Sequence, residues 1–521
     1  MRTSCLLFAT CIWVSAQSQM PANTLAPEDA SFNALYPNLS IPSVTGRLLN
    51  LSADELKTLT ITYTLVTPFA AFQDRRIVSP QPDGSFKLVL DYPLPYQQIW
   101  LELGDYFYAG LCVNTNLYLE LDMKKLKAAK EQVYFNGDGV RYLGADGPLN
   151  TYMNDYVLYK QPEQNQLTGK IMALINSSFA APDSMLPRFN LLFDSVKMIE
   201  DSYIALHPSP LSWILQNERM SDYYGRLCIG YWGKIMPASL WEKVKQHKSY
   251  LVSNSGALFY RYLTTYVSHL PGGPRPPMGT QATALMQTID KNIQRIDSAF
   301  PPAKADFLKL RLNISLDADE QKTGMEHVLG SMHTPWCVAV EKEQYQLAVA
   351  KVVEINKALV GQPGGPPPTG FGDPLIQTSF GASLYKTSGK AMDFLATLKQ
   401  SFPGKAIIID RWAIWCGPCL GEMPHSKELQ EASKDLPVVF VYLCTMNGTT
   451  EAKWKSKVAE LKQPGVHILI DETLDAELSH YFSFAGYPGY ALIDKAGNYK
   501  PGAITWLSEI KNRDALATMI K

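Results

Sequence analysis

The sequence lacks an excess of charge of either sign. Its 521 residues include 48 basic and 49 acidic side chains, which gives a formal net charge of −1. Nucleic acids and anionic membrane surfaces are bound mainly through clusters of positive charge, and the chain contains no such cluster. We therefore expect no nucleic-acid partner.

Long apolar runs are also missing. Beyond the N-terminus no stretch reaches about 18 consecutive apolar residues, so we expect no transmembrane segment in the mature chain. At the N-terminus, Arg2 precedes the apolar run Leu6–Val14, and small residues follow up to Ala16. This pattern predicts a cleaved secretory signal peptide (1–16) and a periplasmic or otherwise extracytoplasmic protein. Cys11 is an alternative lipidation site, but its preceding apolar run is short and we do not expect a lipoprotein.

Cysteines are too few for a disulfide scaffold. Of the eight, Cys5 and Cys11 leave with the signal peptide, and only Cys416 and Cys419 lie close together. We predict that the scattered ones are small buried core residues, with a Cys228–Cys337 bridge as the alternative. The scattered cysteines are Cys112, Cys228, Cys337 and Cys444.

The spacing of apolar residues changes along the chain and predicts a multidomain protein. Leu59–Val66 alternates as a half-buried strand does, whereas Ala282–Phe300 has helical spacing. After the proline- and glycine-rich segment Gln362–Gly370, strands alternate with helices, which predicts a sheet covered on both faces. The predicted parts are the signal peptide (1–16), a small β-sandwich-like domain (22–145), an α-helical domain (146–361), a linker (362–371) and an α/β domain (372–521).

The closely spaced cysteines lie where a thiol is reactive. The apolar strand Ala406–Asp410 precedes them, and a helix is predicted to begin at the motif, so Cys416 falls at a helix N-terminus. Unpaired N–H groups there favour a thiolate. Cys416 is then the attacking thiol and Cys419 the resolving thiol of a disulfide exchange. Such a pair carries its own electrons, so we expect no dissociable cofactor.

Three neighbouring residues extend this site. Gly417 allows a partner chain to approach closely, and Pro418 fits the first helical turn. Asp410 could accept the proton of Cys419. The alternative for Asp410 is an exposed strand-end acid, but its apolar neighbours favour burial, which disfavours the charged form.

A zinc site is the competing interpretation of the cysteine pair. Zinc needs two more ligands, and only the isolated residues His425, Cys444 and His467 are available nearby. We therefore expect no metal.

The segment Asp410–Pro424, with Trp415-Cys-Gly-Pro-Cys419 inside it, resembles thioredoxin and more closely the TlpA-like family of bacterial extracytoplasmic thiol-disulfide reductases. The resemblance implies a thioredoxin-like fold for the α/β domain. Glu422-Met423-Pro424 points to TlpA-like members, in which the matching glutamate lies close to the cysteines and tunes them. A first-turn helix acid is the alternative for Glu422.

The resemblance extends to Pro488, which matches a cis-proline facing the cysteines. It implies that the backbone of Tyr487 pairs with a bound partner chain. Two positions depart from the family, because Arg411 replaces a usual aromatic residue and Gly489 a usual threonine. The predicted substrate-binding residues are Trp415, Gly417, Pro418, Tyr487 and Pro488.

The predicted function is an extracytoplasmic thiol-disulfide oxidoreductase that reduces protein disulfides. Reduction is preferred because Gly417-Pro418 resembles reducing thioredoxins. The family implies a membrane electron donor that recharges the cysteines. The alternatives are an oxidase or isomerase with the same cysteines, and a binding protein with an accessory redox domain.

Overall fold

The computed structural model describes residues 41–66, 74–91, 96–177, 181–249, 254–271, 282–312, 318–361, 365–367 and 369–520. The predicted signal peptide lies outside these residues, as do positions 362–364 and 368 of the predicted linker. Among the helices of the described residues, none has both the length and the apolar character needed to span a membrane.

The N-terminal part consists of two β-sheets that share one core. Their orders are β4-β1-β7-β9 and β3-β2-β5-β6-β8. Alternate residues point inward, and Val44 of the first sheet and Leu101 of the second belong to the same buried cluster. The predicted sandwich-like domain is confirmed. Its strands are β1 (Ser43–Leu49), β2 (Ile61–Val66), β3 (Asp74–Val78), β4 (Ser85–Leu88), β5 (Gln97–Leu103), β6 (Phe107–Val113), β7 (Asn116–Asp122), β8 (Val133–Tyr134) and β9 (Val140–Leu143), with helices α1 (Ala53–Thr58) and α2 (Met123–Ala128).

The middle of the chain is helical, as predicted. Trp336 and Cys337 lie buried at the start of its last helix. Two other scattered cysteines, Cys228 in this region and Cys112 on β6, are buried as well. The helices are α3 (Gly147–Leu158), α4 (Gln161–Ser177), α5 (Pro182–Leu206), α6 (Ser212–Gly230), α7 (Ala238–Gln246), α8 (Asn254–Ser268), α9 (Ala282–Ala299), α10 (Pro302–Lys309), α11 (Ala318–Gly330) and α12 (Pro335–Ala358).

Contacts between residues divide the chain into two compact units. The first holds the β-sheets and continues to Tyr266, together with Arg295–Lys309. The second holds Val267–Gln294 and the chain from Leu310 onward. The boundaries of all the predicted domains and of the linker stay predictions.

The C-terminal part is a mixed sheet with helices on both faces, as predicted. The strand order is β10-β11-β14-β13-β12-β15-β16, and β12 runs parallel to β13 and antiparallel to β15. Both faces of β12 are buried, which explains its continuous isoleucines. The strands are β10 (Asp373–Gln377), β11 (Ala382–Thr387), β12 (Ala406–Trp412), β13 (Val438–Thr445), β14 (Gly465–Ile470), β15 (Gly489–Ile493) and β16 (Tyr499–Lys500). The helices are α13 (Ala391–Ser401), α14 (Gly417–Ala432), α15 (Glu451–Leu461), α16 (Glu472–Phe482) and α17 (Arg513–Met519).

The two faces of this sheet have separate cores. One core contains both cysteines of the motif together with Ile408 and Trp412 of β12. The other contains Ile407 and Ile409 of the same strand, with side chains from α13 and α16. Because side chains alternate along a strand, Asp410 shares the face of the cysteines and Arg411 takes the opposite face.

Helix α12 packs on α15 within the second unit. Ile355 and Ala358 of α12 form a small buried cluster with Ala459 of α15. Lys351 of α12 pairs with Glu460 of α15 at 2.6 Å. This helix therefore contributes to the packing of the α/β domain.

Candidate active site

Cys416 and Cys419 form a disulfide at the start of α14. Cys416 is the N-cap residue of this helix, and its Sγ accepts a hydrogen bond from the backbone N–H of Cys419 at 3.1 Å. Gly417 and Pro418 occupy the first turn between them. In the reduced protein the same N–H and the positive end of the helix would face a thiolate of Cys416 and stabilise it.

Asp410 is buried in the sheet on the cysteine face. Its side chain is 2% exposed, and neither carboxyl oxygen has a hydrogen-bond partner among the described residues. Burial, followed by the negative charge of Glu422, raises the pKa of Asp410 to about 8. A carboxyl with this pKa can exchange a proton near neutral pH, which an exposed strand-end acid does not do.

Glu422 lies on α14 beyond its first turn, and its side chain is nearly buried. Its Oε2 accepts a hydrogen bond from the backbone N–H of Ser508 at 2.9 Å. The interpretation of Glu422 as a first-turn acid is therefore wrong, because α14 begins at Gly417 and has no acidic residue in its first turn. Its charge acts on Asp410 instead.

The loop before β15 contains Tyr487 and Pro488, which the family resemblance matches to the substrate-binding segment. The Tyr487–Pro488 peptide bond is cis. Tyr487 packs against the core that contains both cysteines, and its ring meets that of Trp415 edge-on at 5.3 Å between centroids. The Trp415 side chain is 48% exposed, and its Nε1 donates to the carbonyl oxygen of Asn447 at 2.9 Å. Trp415 and Tyr487 thus form an aromatic pair beside the disulfide.

An ion pair that the sequence did not predict supports this loop. Arg411 donates from Nε and Nη2 to the two carboxylate oxygens of Asp475, at 2.7 and 2.8 Å. Its Nη1 donates to the carbonyl oxygen of Gly486 at 3.0 Å. No signal in the sequence links Arg411 to Asp475, because the partners are 64 residues apart.

The candidate zinc ligands are not gathered at the site. Cys444 and His467 are buried on β13 and β14, and His425 is exposed on α14. Over the described part of the chain, no group of three or more His, Cys, Asp or Glu side chains is placed to hold a metal ion.

Comparison with known proteins places this site in a family. The family model described as Redoxin matches residues 387–501. Two curated relatives are thiol-disulfide oxidoreductases named ResA, from Bacillus thuringiensis subsp. konkukian and from Bacillus cereus. Each is 31% identical over 98 residues, which cover 19% of this chain and 54% of the relative. The chain thus spans about half the length of the curated relatives it matches.

A solved structure is also similar to the C-terminal part. The thioredoxin domain of a Bacteroides vulgatus thiol-disulfide oxidoreductase is 20% identical, with a TM-score of 0.21, over 23% of this chain and 84% of that chain. The Redoxin match and the two ResA relatives identify the C-terminal region of this chain as a redoxin domain, a thioredoxin-like thiol-disulfide oxidoreductase domain whose CxxC active site is Cys416–Cys419.

Proposed function

We propose that this protein reduces disulfide bonds of other proteins outside the cytosol. The observation that carries the proposal is the disulfide-forming Cys416 at the N-cap of α14, on the same face of the sheet as Asp410. The Asp410 carboxyl is buried and has no hydrogen-bond partner in the part of the chain that the structure describes. The first feature favours an attacking thiolate and the second provides a proton acceptor.

The exchange proceeds in two steps. The Cys416 thiolate attacks one sulfur of the substrate disulfide, forms a mixed disulfide and releases the other sulfur as a thiolate that takes a proton from solvent. Cys419 then loses its proton to the Asp410 carboxylate and attacks Sγ of Cys416. The Cys416–Cys419 disulfide forms and the second substrate sulfur leaves as a thiolate that takes a proton from solvent, so two electrons have moved to the substrate.

The Gly417-Pro418 dipeptide between the cysteines supports the reducing direction, because it resembles reducing thioredoxins. The reduction potential of the Cys416–Cys419 pair tests this, measured at equilibrium with glutathione. A value near about −270 mV supports a reductase, whereas one near about −120 mV would indicate an oxidase.

Trapping tests whether proteins are the substrates. In Cys419→Ser the mixed disulfide cannot be resolved, so Cys416 should remain joined to its partner. The matched control is Cys416→Ser, which should trap nothing. If Cys419→Ser also yields no disulfide-linked protein from native host cells, protein substrates are excluded.

The N-terminal segment supports the extracytoplasmic location, since Arg2 and the run Leu6–Val14 have the pattern of a signal peptide. Export should leave a mature chain that begins at Gln17, which N-terminal sequencing of the exported protein would identify. Outside the cytosol the dithiol needs a supply of electrons, and we assign this role to a membrane electron donor. A protein found intact in the cytosol would contradict both assignments.

A second candidate function is ligand binding by the N-terminal unit. An open surface groove of about 690 Å³ there is lined largely by aromatic and polar side chains, among them Tyr142, Tyr152, Tyr203, His207 and Asp155. In this case the redox domain is an accessory. Cys416→Ser separates the two functions, because it abolishes disulfide reduction and leaves ligand or partner binding intact.

A further inference from the structure

We propose that Arg411 is a positioning residue that fixes the Tyr487–Pro488 loop for the substrate chain, and that the Arg411–Asp475 pair thereby sets the preference for protein disulfides. This inference rests on the proposed function. It assigns no chemical step to Arg411, which lies on the opposite face of β12 from the cysteines.

The first argument is the geometry of the ion pair. All three guanidinium nitrogens of Arg411 donate, two to Asp475 and one to the carbonyl oxygen of Gly486. The side chains of Arg411 and Asp475 are only 8% and 10% exposed. A planar guanidinium can form two parallel bonds to a carboxylate and a third bond in another direction, whereas the ammonium of a lysine cannot reproduce this fork.

The second argument is that the same pair holds Tyr487 in two ways. The Tyr487 hydroxyl donates to Oδ2 of Asp475 at 2.7 Å. The guanidinium carbon of Arg411 lies 3.8 Å from the centroid of the Tyr487 ring, which is a close cation–π contact. Gly486 and Tyr487, the two residues that precede Pro488, are therefore both bound to one buried pair.

The third argument concerns energy. A buried ion pair loses hydration on folding, and apolar residues of similar volume often stabilise a protein as well or better. Stability alone therefore does not account for Arg411. Tyr487 in turn contacts the exposed ring of Trp415, the residue before Cys416. The buried pair is thus connected through one ring to the surface that a substrate chain must reach.

The test compares a protein disulfide with a small one. Pre-reduced full-length protein is mixed with insulin or with hydroxyethyl disulfide, and the second-order rate constant of its oxidation is measured for each. A small disulfide needs only the cysteines, whereas insulin also needs the loop. We expect Arg411→Lys to lower the insulin-to-hydroxyethyl disulfide ratio of rate constants about tenfold, the loss expected from weakening one charged hydrogen bond.

Two further variants complete the experiment. Arg513→Lys alters an exposed ion pair with Asp435 in the same domain and should leave the ratio at the wild-type value. Tyr487→Phe removes only the hydroxyl that binds Asp475 and should also lower the ratio, so it replaces Arg411→Lys if that variant does not fold.

The outcomes separate this inference from the proposed function. Two results would overturn the positioning role. One is a wild-type ratio in both Arg411→Lys and Tyr487→Phe. The other is an equal fall of the rate constants with insulin and with hydroxyethyl disulfide, which would place the effect at the cysteines. A wild-type protein that reacts with neither disulfide overturns the proposed function, and the inference with it.

Discussion

Asp410 and Tyr490 lie directly opposite each other on the antiparallel strands β12 and β15, and both side chains are buried. Neither the carboxyl of Asp410 nor the hydroxyl of Tyr490 has a hydrogen-bond partner among the described residues. Burial, followed by the charge of Asp410, raises the pKa of Tyr490, so its hydroxyl stays protonated. The proton of this pair that can move near neutral pH is therefore the one on Asp410.

The raised pKa of Asp410 predicts how stability depends on pH. Between about pH 4, where the unfolded carboxyl ionises, and about pH 8, the folded protein binds one more proton than the unfolded chain. Stability therefore falls as pH rises through this window, by about 1.4 kcal/mol for each pH unit at most. Asp410→Asn removes this loss, so it should be more stable than wild type at pH 8.

Urea unfolding of the oxidised protein at pH 5 and pH 8 measures this effect, because disulfide-bonded cysteines do not titrate. Other groups titrate alike in both proteins, so the quantity compared is the difference in the free energy of unfolding between Asp410→Asn and wild type. That difference should grow by up to about 4 kcal/mol from pH 5 to pH 8. A difference that is the same at both pH values contradicts a raised pKa for Asp410.

Glu422 gives a separate prediction for the same carboxyl. Its negative charge raises the pKa of Asp410, and Glu422→Gln removes the charge while keeping an oxygen for the N–H of Ser508. The pKa of Asp410 should therefore fall in Glu422→Gln. A carbon-13 NMR titration of labelled aspartate carboxyls in the oxidised protein measures it.

The control for this titration is Glu428→Gln, which removes the same charge from an exposed position on the same helix. It should leave the pKa of Asp410 at the wild-type value. An unchanged pKa in Glu422→Gln as well would mean that burial alone raises it.

The sequence predicted the order of strands and helices around the cysteines but ended β12 too early. The apolar pattern stops at Ile409, whereas the strand continues through Trp412. A charged residue normally ends a buried strand, and Arg411 is tolerated inside the fold only because Asp475 pairs with it. That pairing depends on the packing of α16, which spacing along the chain does not reveal.

The apolar pattern of the sequence also does not predict strand β10. Strand β10 lies at the edge of the sheet and is partly exposed, so its residues show no apolar alternation. The alternative that Glu422 is a first-turn acid of α14 is wrong, because the helix begins at Gly417 and Glu422 lies beyond its first turn. Its hydrogen-bond donor, Ser508, lies 86 residues away.

Helix α12 should contribute to the stability of the redoxin domain. Ile355 is buried against Ala459 of α15, whereas Val353 on the same helix is 62% exposed. Ile355→Ala should destabilise the protein by about 2 to 5 kcal/mol, because it leaves a cavity. Val353→Ala is the matched control and should change stability by less than about 0.5 kcal/mol. Urea midpoints of the two variants test this, and equal midpoints would show that α12 does not support the domain.

Gly489 stands where the thioredoxin-like pattern has a threonine, and the ring of Phe484 explains this departure. A Cβ atom on Gly489 would lie 2.8 Å from Cγ of Phe484, so the aromatic ring occupies the space that a side chain would need. Gly489→Ala should therefore destabilise the protein by about 1 to 3 kcal/mol through overpacking.

Phe484→Ala supplies the room, so Gly489→Ala should cost much less in that background than in wild type. The coupling between the two substitutions, measured from four urea unfolding curves, should thus be at least about 1 kcal/mol. Gly421→Ala is the control, because no atom lies within 4 Å of its added Cβ and alanine favours a helix. If Gly489→Ala destabilises both backgrounds equally, the glycine is required by the backbone and the Phe484 ring is not the reason for it.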